Sequence, residues 1–156
     1  MIKLVRIDHR LVHGQVAFSW TKFLEADCIL IASDNLMKDE LKMAAMRMAK
    51  PSGVKLVMKS MADAITALNS GVTDKYKLFI LCESVQDVHY LTTHTNVITS
   101  INIGGMKSEE DRHQISKAVF VSEQDIELLK ELNEKGIELE VRLVPNDNRQ
   151  NLMNLI

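Results

Sequence analysis

Arg6-Ile7-Asp8-His9-Arg10-Leu11-Val12-His13-Gly14-Gln15-Val16 packs one acid, two arginines and two histidines into a run that reaches a glycine. Polar density of that kind is not core material. Before it, Ile2, Leu4 and Arg6 alternate with Val5 and Ile7, the two-residue period of a strand. After it, Val16, Phe18, Trp20, Phe23 and Leu24 recur at a looser, helix-like spacing, so residues 8–14 form a strand-to-helix turn. In an open α/β sheet such a turn opens at the carboxyl edge of the strand, where ligands collect at a topological switch point.

Working outward, short apolar runs recur at 28–32, 54–58, 78–82, 98–103, 118–121 and 137–144. Helix-like stretches lie between them at 15–24, 37–49, 61–69, 85–92 and 123–135, with a final turn or two at 148–154. That alternation signals βαβ units. Three helices open with the same device, Ser60-x-x-Asp63, Ser84-x-x-Asp87 and Ser122-x-x-Asp125, each resembling a capping box with Asp in place of Glu. Gly71, Gly136 and Pro51-Ser52-Gly53 fall where helices should stop. The fold class is therefore α/β: a three-layer, open, mostly parallel twisted sheet of about seven strands with helices on both faces, Rossmann-like. Residues 104–116 are the exception, a polar stretch headed by Gly-Gly that reads as a long loop. A connection without a crossover helix leaves open that the strand at 118–121 runs antiparallel at or near an edge.

The length of 156 residues matches about one domain, 1–156, with no room for a linker or a fused second domain. A net charge of −2 argues against a nucleic-acid partner, which would call for a strongly basic face. Cys28 and Cys82 lie inside apolar runs without C-x-x-C spacing and read as reduced core thiols. Charged residues within the first ten positions exclude a signal-peptide apolar region, and no apolar run approaches the ~20 residues of a membrane span. The expectation is a cytoplasmic protein.

At the strand end, neutral His13 is a nucleophile. A phosphoryl group placed on it would meet Arg10, which can hold two oxygens at once, and the free N–H groups of the starting helix at Gly14 and Gln15. Gly14 lets the backbone approach those oxygens, and Asp8 can orient either an imidazole nitrogen or Arg10.

This stretch closely resembles the active-site signature of the IIB subunits of the mannose/fructose/sorbose class of the bacterial phosphoenolpyruvate-dependent sugar phosphotransferase system. Asn102-Ile103-Gly104-Gly105-Met106 and Val144-Pro145-Asn146-Asp147 extend the likeness over essentially the whole chain, with a departure at His9, where the family more often has an acid or a small polar residue. The resemblance implies that His13 is phosphorylated on Nδ1. It implies a phosphohistidine–sugar phosphotransferase that accepts the group from a IIA protein and passes it to a sugar presented by the membrane IIC and IID components. No cofactor and no metal are implied. Localisation would be cytoplasmic, at the inner face of the membrane, and the sugar and any homo-oligomer stay open.

Several positions admit other readings. His9 and His13 would share a face and could bind zinc only if residues before Gly14 were helical, and no Glu accompanies them. His9 reads instead as a solvated neighbour of the site. Gly104 and Gly105, followed by Met106 and Lys107, either bring backbone N–H groups and a cation to the phosphoryl group or simply turn into the long loop. Ser84 has a role as a helix cap and a second candidate role as a phosphate donor group. Ser33-Asp34-Asn35 lies where a dinucleotide protein would hold a ribose, but the first turn lacks G-x-G-x-x-G, and Asp34 reads as a helix cap. Cys82 has no adjacent Arg or Lys to stabilise a thiolate. Met37, Met43, Met46 and Met48 fit core packing or back a subunit contact. The alternative function is a Rossmann-like anion- or ligand-binding regulatory module without covalent phosphohistidine, and a zinc hydrolase ranks third.

Overall fold

The computed structural model describes residues 1–156. The chain begins with β1 (Ile2–Asp8), α1 (Gly14–Leu24), β2 (Cys28–Ala32), the short α2 (Asp34–Met37), α3 (Glu40–Ala49) and β3 (Lys55–Lys59). It continues through α4 (Met61–Ser70), β4 (Leu78–Cys82), α5 (Val85–Thr93) and β5 (Ser100–Gly105). The remainder is β6 (His113–Ser116), β7 (Val119–Val121), α6 (Glu123–Glu134), β8 (Glu138–Val141), β9 (Gln150–Asn151) and a 3₁₀ turn, Leu152–Asn154.

Seven strands form one sheet in the order β3-β2-β4-β1-β5-β8-β9, parallel throughout except for the antiparallel β9. Connections that step outward from β1 to β2 and β3 pack their helices on one face. Those that step back through β4 to β5 and β8 pack theirs on the other, as right-handed crossovers require. Two cores result. Val5 and Ile7 of β1 face α4, α5 and α6 in the larger core, and Leu4 faces the smaller one under α1, α2 and α3. The order of winding reverses at β1, so its carboxyl end lies at the switch point.

Four departures from the sequence reading have local causes. Residues 113–116 are a strand, because Ile115 between polar neighbours packs on the larger core while β6 pairs antiparallel with β7. That hairpin stands outside the main sheet and meets it through a single bridge, Met106 to Val119. The helix expected at 37–49 is broken at Lys38-Asp39, where Asp39 Oδ1 accepts the Lys42 N–H at 3.0 Å and starts α3. The strand expected at 137–144 ends at Val141, and 148–154 is β9 plus a 3₁₀ turn rather than a helix.

Each of the three Ser-x-x-Asp sequences caps its helix, with the Ser60, Ser84 and Ser122 hydroxyls accepting from Asp63, Asp87 and Asp125 N–H at 3.1 Å. Only Ser122 closes the reciprocal box, its own N–H donating to Asp125 Oδ2 at 2.9 Å. Asp34 acts in another way, as Ser33 caps α2 and Asp34 Oδ1 accepts the Met61 N–H of α4 at 2.9 Å. Met43 and Met46 pack into the smaller core, whereas Met48 stands exposed.

Two stability measurements follow from these caps. Ser122→Ala should lower unfolding free energy by about 1–2 kcal/mol, more than Ser60→Ala on the exposed α4 start, in urea titrations. Burial, with Glu83 and Asp34 nearby, pushes the Asp87 carboxyl up to about 6. Its folded value exceeds its unfolded one, so its contribution is fully present below the unfolded value and is lost as pH rises through about 6. Asp87→Asn should accordingly raise the thermal midpoint at pH 7.5, with the gain shrinking below pH 6.

Candidate active site

Arg6 and Asp8, two apart on β1, point to the same face of the sheet, the face covered by α1. Both are buried, at 1% and 0% exposure. Arg6 lies where an aliphatic side chain would normally sit, and four acceptors surround its guanidinium. Nη1 donates to Asn102 Oδ1 at 2.6 Å and to the Arg142 carbonyl at 3.0 Å. Nη2 donates to the Leu143 carbonyl at 3.0 Å and to Asp8 Oδ2 at 3.2 Å. Trp20 of α1 covers it, with Arg6 Cζ 5.2 Å and Arg142 Cζ 4.8 Å from the ring centroid, while the indole N–H donates to the same Leu143 carbonyl. Burial pulls the Arg6 guanidinium down in pKa, and the charge of Asp8 acts against that.

Asp8 passes this anchoring outward. Its Oδ1 accepts the Arg10 N–H at 3.0 Å and lies 3.7 Å from Arg10 Nε, while Oδ2 lies 3.0 Å from His13 Nε2. Burial by itself would raise the Asp8 carboxyl. The His13 hydrogen bond, the Arg6 charge and the Arg10 N–H overcome it and hold the carboxyl below the ordinary aspartate range. An ionised Asp8 accepts a proton-bearing Nε2, which leaves the lone pair on Nδ1. The His13 side chain is 20% exposed, enough for another molecule to reach the ring.

The turn places that ring with two left-handed residues. Leu11, at φ 58°, is anchored by burial of its side chain. Gly14, at φ 40° with open space beside it, begins the helix in a conformation that side-chain-bearing residues resist. His13 is the N-cap of α1 in extended conformation and makes no side-chain cap bond, and no acid stands in the first turn. The N–H groups of Gly14, Gln15 and Val16 therefore have no intrahelical acceptor, and the first helical bond is Ala17 N–H to His13 O at 3.2 Å. Positive helix-end potential, an Arg10 side chain that is half exposed, and a nucleophilic Nδ1 converge at one surface.

Of the residues singled out in the sequence, Asp8, Arg10, His13, Gly14 and Gln15 thus meet at the end of β1. Gly104 and Gly105 are buried residues of β5 alongside β1, beneath Arg6 and Asp8. A Cβ on Gly104 would stand 1.9 Å from Arg6 Cζ, and one on Gly105 would stand 3.2 Å from Asp8 Oδ1. Ser84 ends the β4 connection and caps α5. Lys107 is exposed and pairs with Glu109 at 3.3 Å. His9 is less solvated than expected: half-buried, it gives its N–H to the Gly105 carbonyl at 3.0 Å and keeps an enclosed Nδ1 without a partner. It does not share a helix face with His13, because α1 begins only at Gly14. Cys82 is fully buried, with burial and then Asp87 and Glu83 raising its thiol pKa, so it carries no thiolate near neutrality. Sequence reasoning missed Arg6, Asn102, Trp20 and the carbonyls of Arg142 and Leu143. The available signal was the Arg6-x-Asp8 spacing, which aims an ion pair at a helix-covered face.

The chain is similar to known proteins in sequence and in fold. The model of the family described as "PTS system sorbose subfamily IIB component" matches residues 2–156. The mannose-specific EIIAB component of Escherichia coli K12 is 38% identical over all 156 residues, which span 48% of that relative's length. The fructose-specific EIIB component of Bacillus subtilis is 34% identical, with 99% of this chain and 95% of the relative covered. The crystal structure of the IIBSor domain of the Klebsiella pneumoniae sorbose permease superposes with a TM-score of 0.94 at 33% identity, covering 99% of this chain and 94% of that one. On sequence and fold alike, the chain belongs to the sorbose subfamily of IIB components of the sugar phosphotransferase system.

Proposed function

We propose that the protein is a phosphocarrier that accepts a phosphoryl group on His13 Nδ1 from a phosphorylated IIA protein and delivers it to a sugar during uptake through membrane IIC and IID components. The observation that carries this reading is the 3.0 Å contact between Asp8 Oδ2 and His13 Nε2, which directs the lone pair of a partly exposed ring to Nδ1. Attack is in line: the donor's P–N bond breaks as the P–Nδ1 bond forms, and the donor ring leaves with the electron pair. His13 keeps its Nε2 proton, so positive charge appears on its ring, against the Asp8 carboxylate.

The moving phosphoryl group is loose and charge-spread, and catalysis is mainly positioning and electrostatic stabilisation. Arg10 is placed to compensate charge, and the N–H groups of Gly14 and Gln15 to cradle oxygens. In the second transfer a sugar hydroxyl attacks phosphorus and gives up its proton to solvent, the P–Nδ1 bond breaks with its electron pair returning to Nδ1, and His13 leaves as the neutral Nε2-protonated ring. No helix of the chain is long and apolar enough to cross a membrane. None of these steps calls on a metal or nucleotide, because the phosphoramidate is already an energetic donor.

Intact mass after incubation with phosphoenolpyruvate, Enzyme I, HPr and a IIA protein should show one added phosphoryl, stable in base and lost in acid. His13→Ala should accept none, and His9→Ala should keep most of the acceptance. Equal loss in both variants with folding intact, or tight reversible anion binding without an adduct, would refute the assignment.

A further inference from the structure

We propose that Arg6, which never reaches the surface, is a positioning residue that sets the tautomer and working pH of His13 through Asp8, with Gly104 providing the space it occupies. The inference rests on His13 being the phosphoryl acceptor. A buried arginine with four acceptors could be no more than a clamp tying β1 to Asn102 and to the segment after β8. The shared atom shows more than that. Asp8 Oδ2 faces Arg6 Nη2 at 3.2 Å on its inner side and His13 Nε2 at 3.0 Å on its outer side. Every displacement of the guanidinium therefore moves, or uncovers, the oxygen that holds the imidazole.

Arg6 itself has little freedom. Its Nη1 and Nη2 bonds fix both ends of the guanidinium plane, and Trp20 closes the face toward α1. On the β5 side only a glycine fits, since a methyl group at 104 would overlap the guanidinium at 1.9–2.2 Å. Gly104 has no left-handed φ to explain it, so the close approach of Arg6 is what its missing side chain serves. The residue thus belongs to the reaction geometry without touching the phosphoryl group.

Charge couples the same three groups. The groups facing Asp8 are Arg6 from β1, Arg10 from the turn and His13 at the start of α1, and Arg6 in turn feels the charges of Arg10 and of Glu140 in β8, while Arg142 meets it through a main-chain carbonyl. Arg10 is half exposed and its Nε stands 3.7 Å away, so the close, dry counter-charge of Asp8 is Arg6. With Arg6 intact, Asp8 is an acceptor that orients a neutral ring. Without it, Asp8 is an uncompensated buried anion whose readiest partner is a protonated His13, and a doubly protonated ring has no lone pair for attack.

Arg6→Met, Arg6→Lys and Gly104→Ala test this. The last two keep or leave untouched the charge while disturbing the seat. Folding is checked by circular dichroism and thermal midpoint, the His13 tautomer by ¹⁵N-resolved NMR of the ring in the unphosphorylated protein, and acceptance from phospho-IIA is timed across pH 5–9. In folded Arg6→Met we expect acceptance at pH 7 to fall roughly 10–100-fold, as for other orienting partners. The pH–rate midpoint should move upward by about one unit. Arg6→Lys should recover part of the pH profile but less of the rate. Gly104→Ala should shift the tautomer ratio toward a mixture although no charge is altered. Wild-type rate, pH midpoint and Nε2–H tautomer in folded Arg6→Met or Gly104→Ala would overturn the proposal, and unfolding of all three variants would reduce Arg6 to a structural residue. If wild-type protein takes no phosphoryl on His13, the proposed function fails, and the NMR arm still decides whether Arg6 governs the ring.

Discussion

One buried ion pair governs the architecture around the turn. Arg6 and Asp8 occupy core positions on the central strand, and taking two charges out of water is favourable only when geometry is close and the remaining hydrogen-bonding capacity is satisfied. The fold supplies that satisfaction from several elements: Asn102 from β5, two carbonyls from the segment that leaves β8, and an indole ring from α1. Losing one partner of such a pair leaves the other charge buried and unpaired, typically a loss of about 3–5 kcal/mol. The carbonyls offered where the chain leaves β8 and the missing side chain of Gly104 in β5 accommodate this one guanidinium, and Gly105 leaves room for the Asp8 carboxylate.

The centre is consequently two-sided. Inward of His13 everything is dry, bonded and closely fitted. Outward, the first turn of α1 has N–H groups without acceptors, and the Arg10 side chain makes only a loose approach to Asp8. Preorganised donors that face outward suit an anionic group that arrives, stays briefly and leaves, since the protein need not rearrange to meet it. The left-handed Leu11, pinned by burial, fixes the exit direction of the chain from β1 and so the direction in which the imidazole faces.

The sheet and its helices were legible in sequence because buried parallel strands such as 28–32 and 78–82 are short, uninterrupted apolar runs and because Ser-x-x-Asp marks helix starts. The outer half of the site was legible too, since Asp8, Arg10, His13 and Gly14 are adjacent along the chain. What escaped had three physical origins. Arg6 alternates along β1 with Ile2 and Leu4 like any strand residue, and three of its four acceptors lie 96 to 137 positions away. Gly104 carries its meaning in an absent Cβ, which only a neighbour in space reveals. The β6–β7 hairpin was hidden for a third reason: four residues with one apolar side chain facing inward leave too short a period to recognise.

The rims of the main sheet have a bearing on how the molecule behaves in a crowded solution. On one side β3 is bounded by Lys55 and Lys59, and on the other β9 is only two residues long and runs against its neighbour. Charged ends and a stub of reversed direction are poor templates for a foreign strand. Backbone pairing between copies is thereby discouraged, so side-chain surfaces are left as the means by which such a molecule meets others and lets them go.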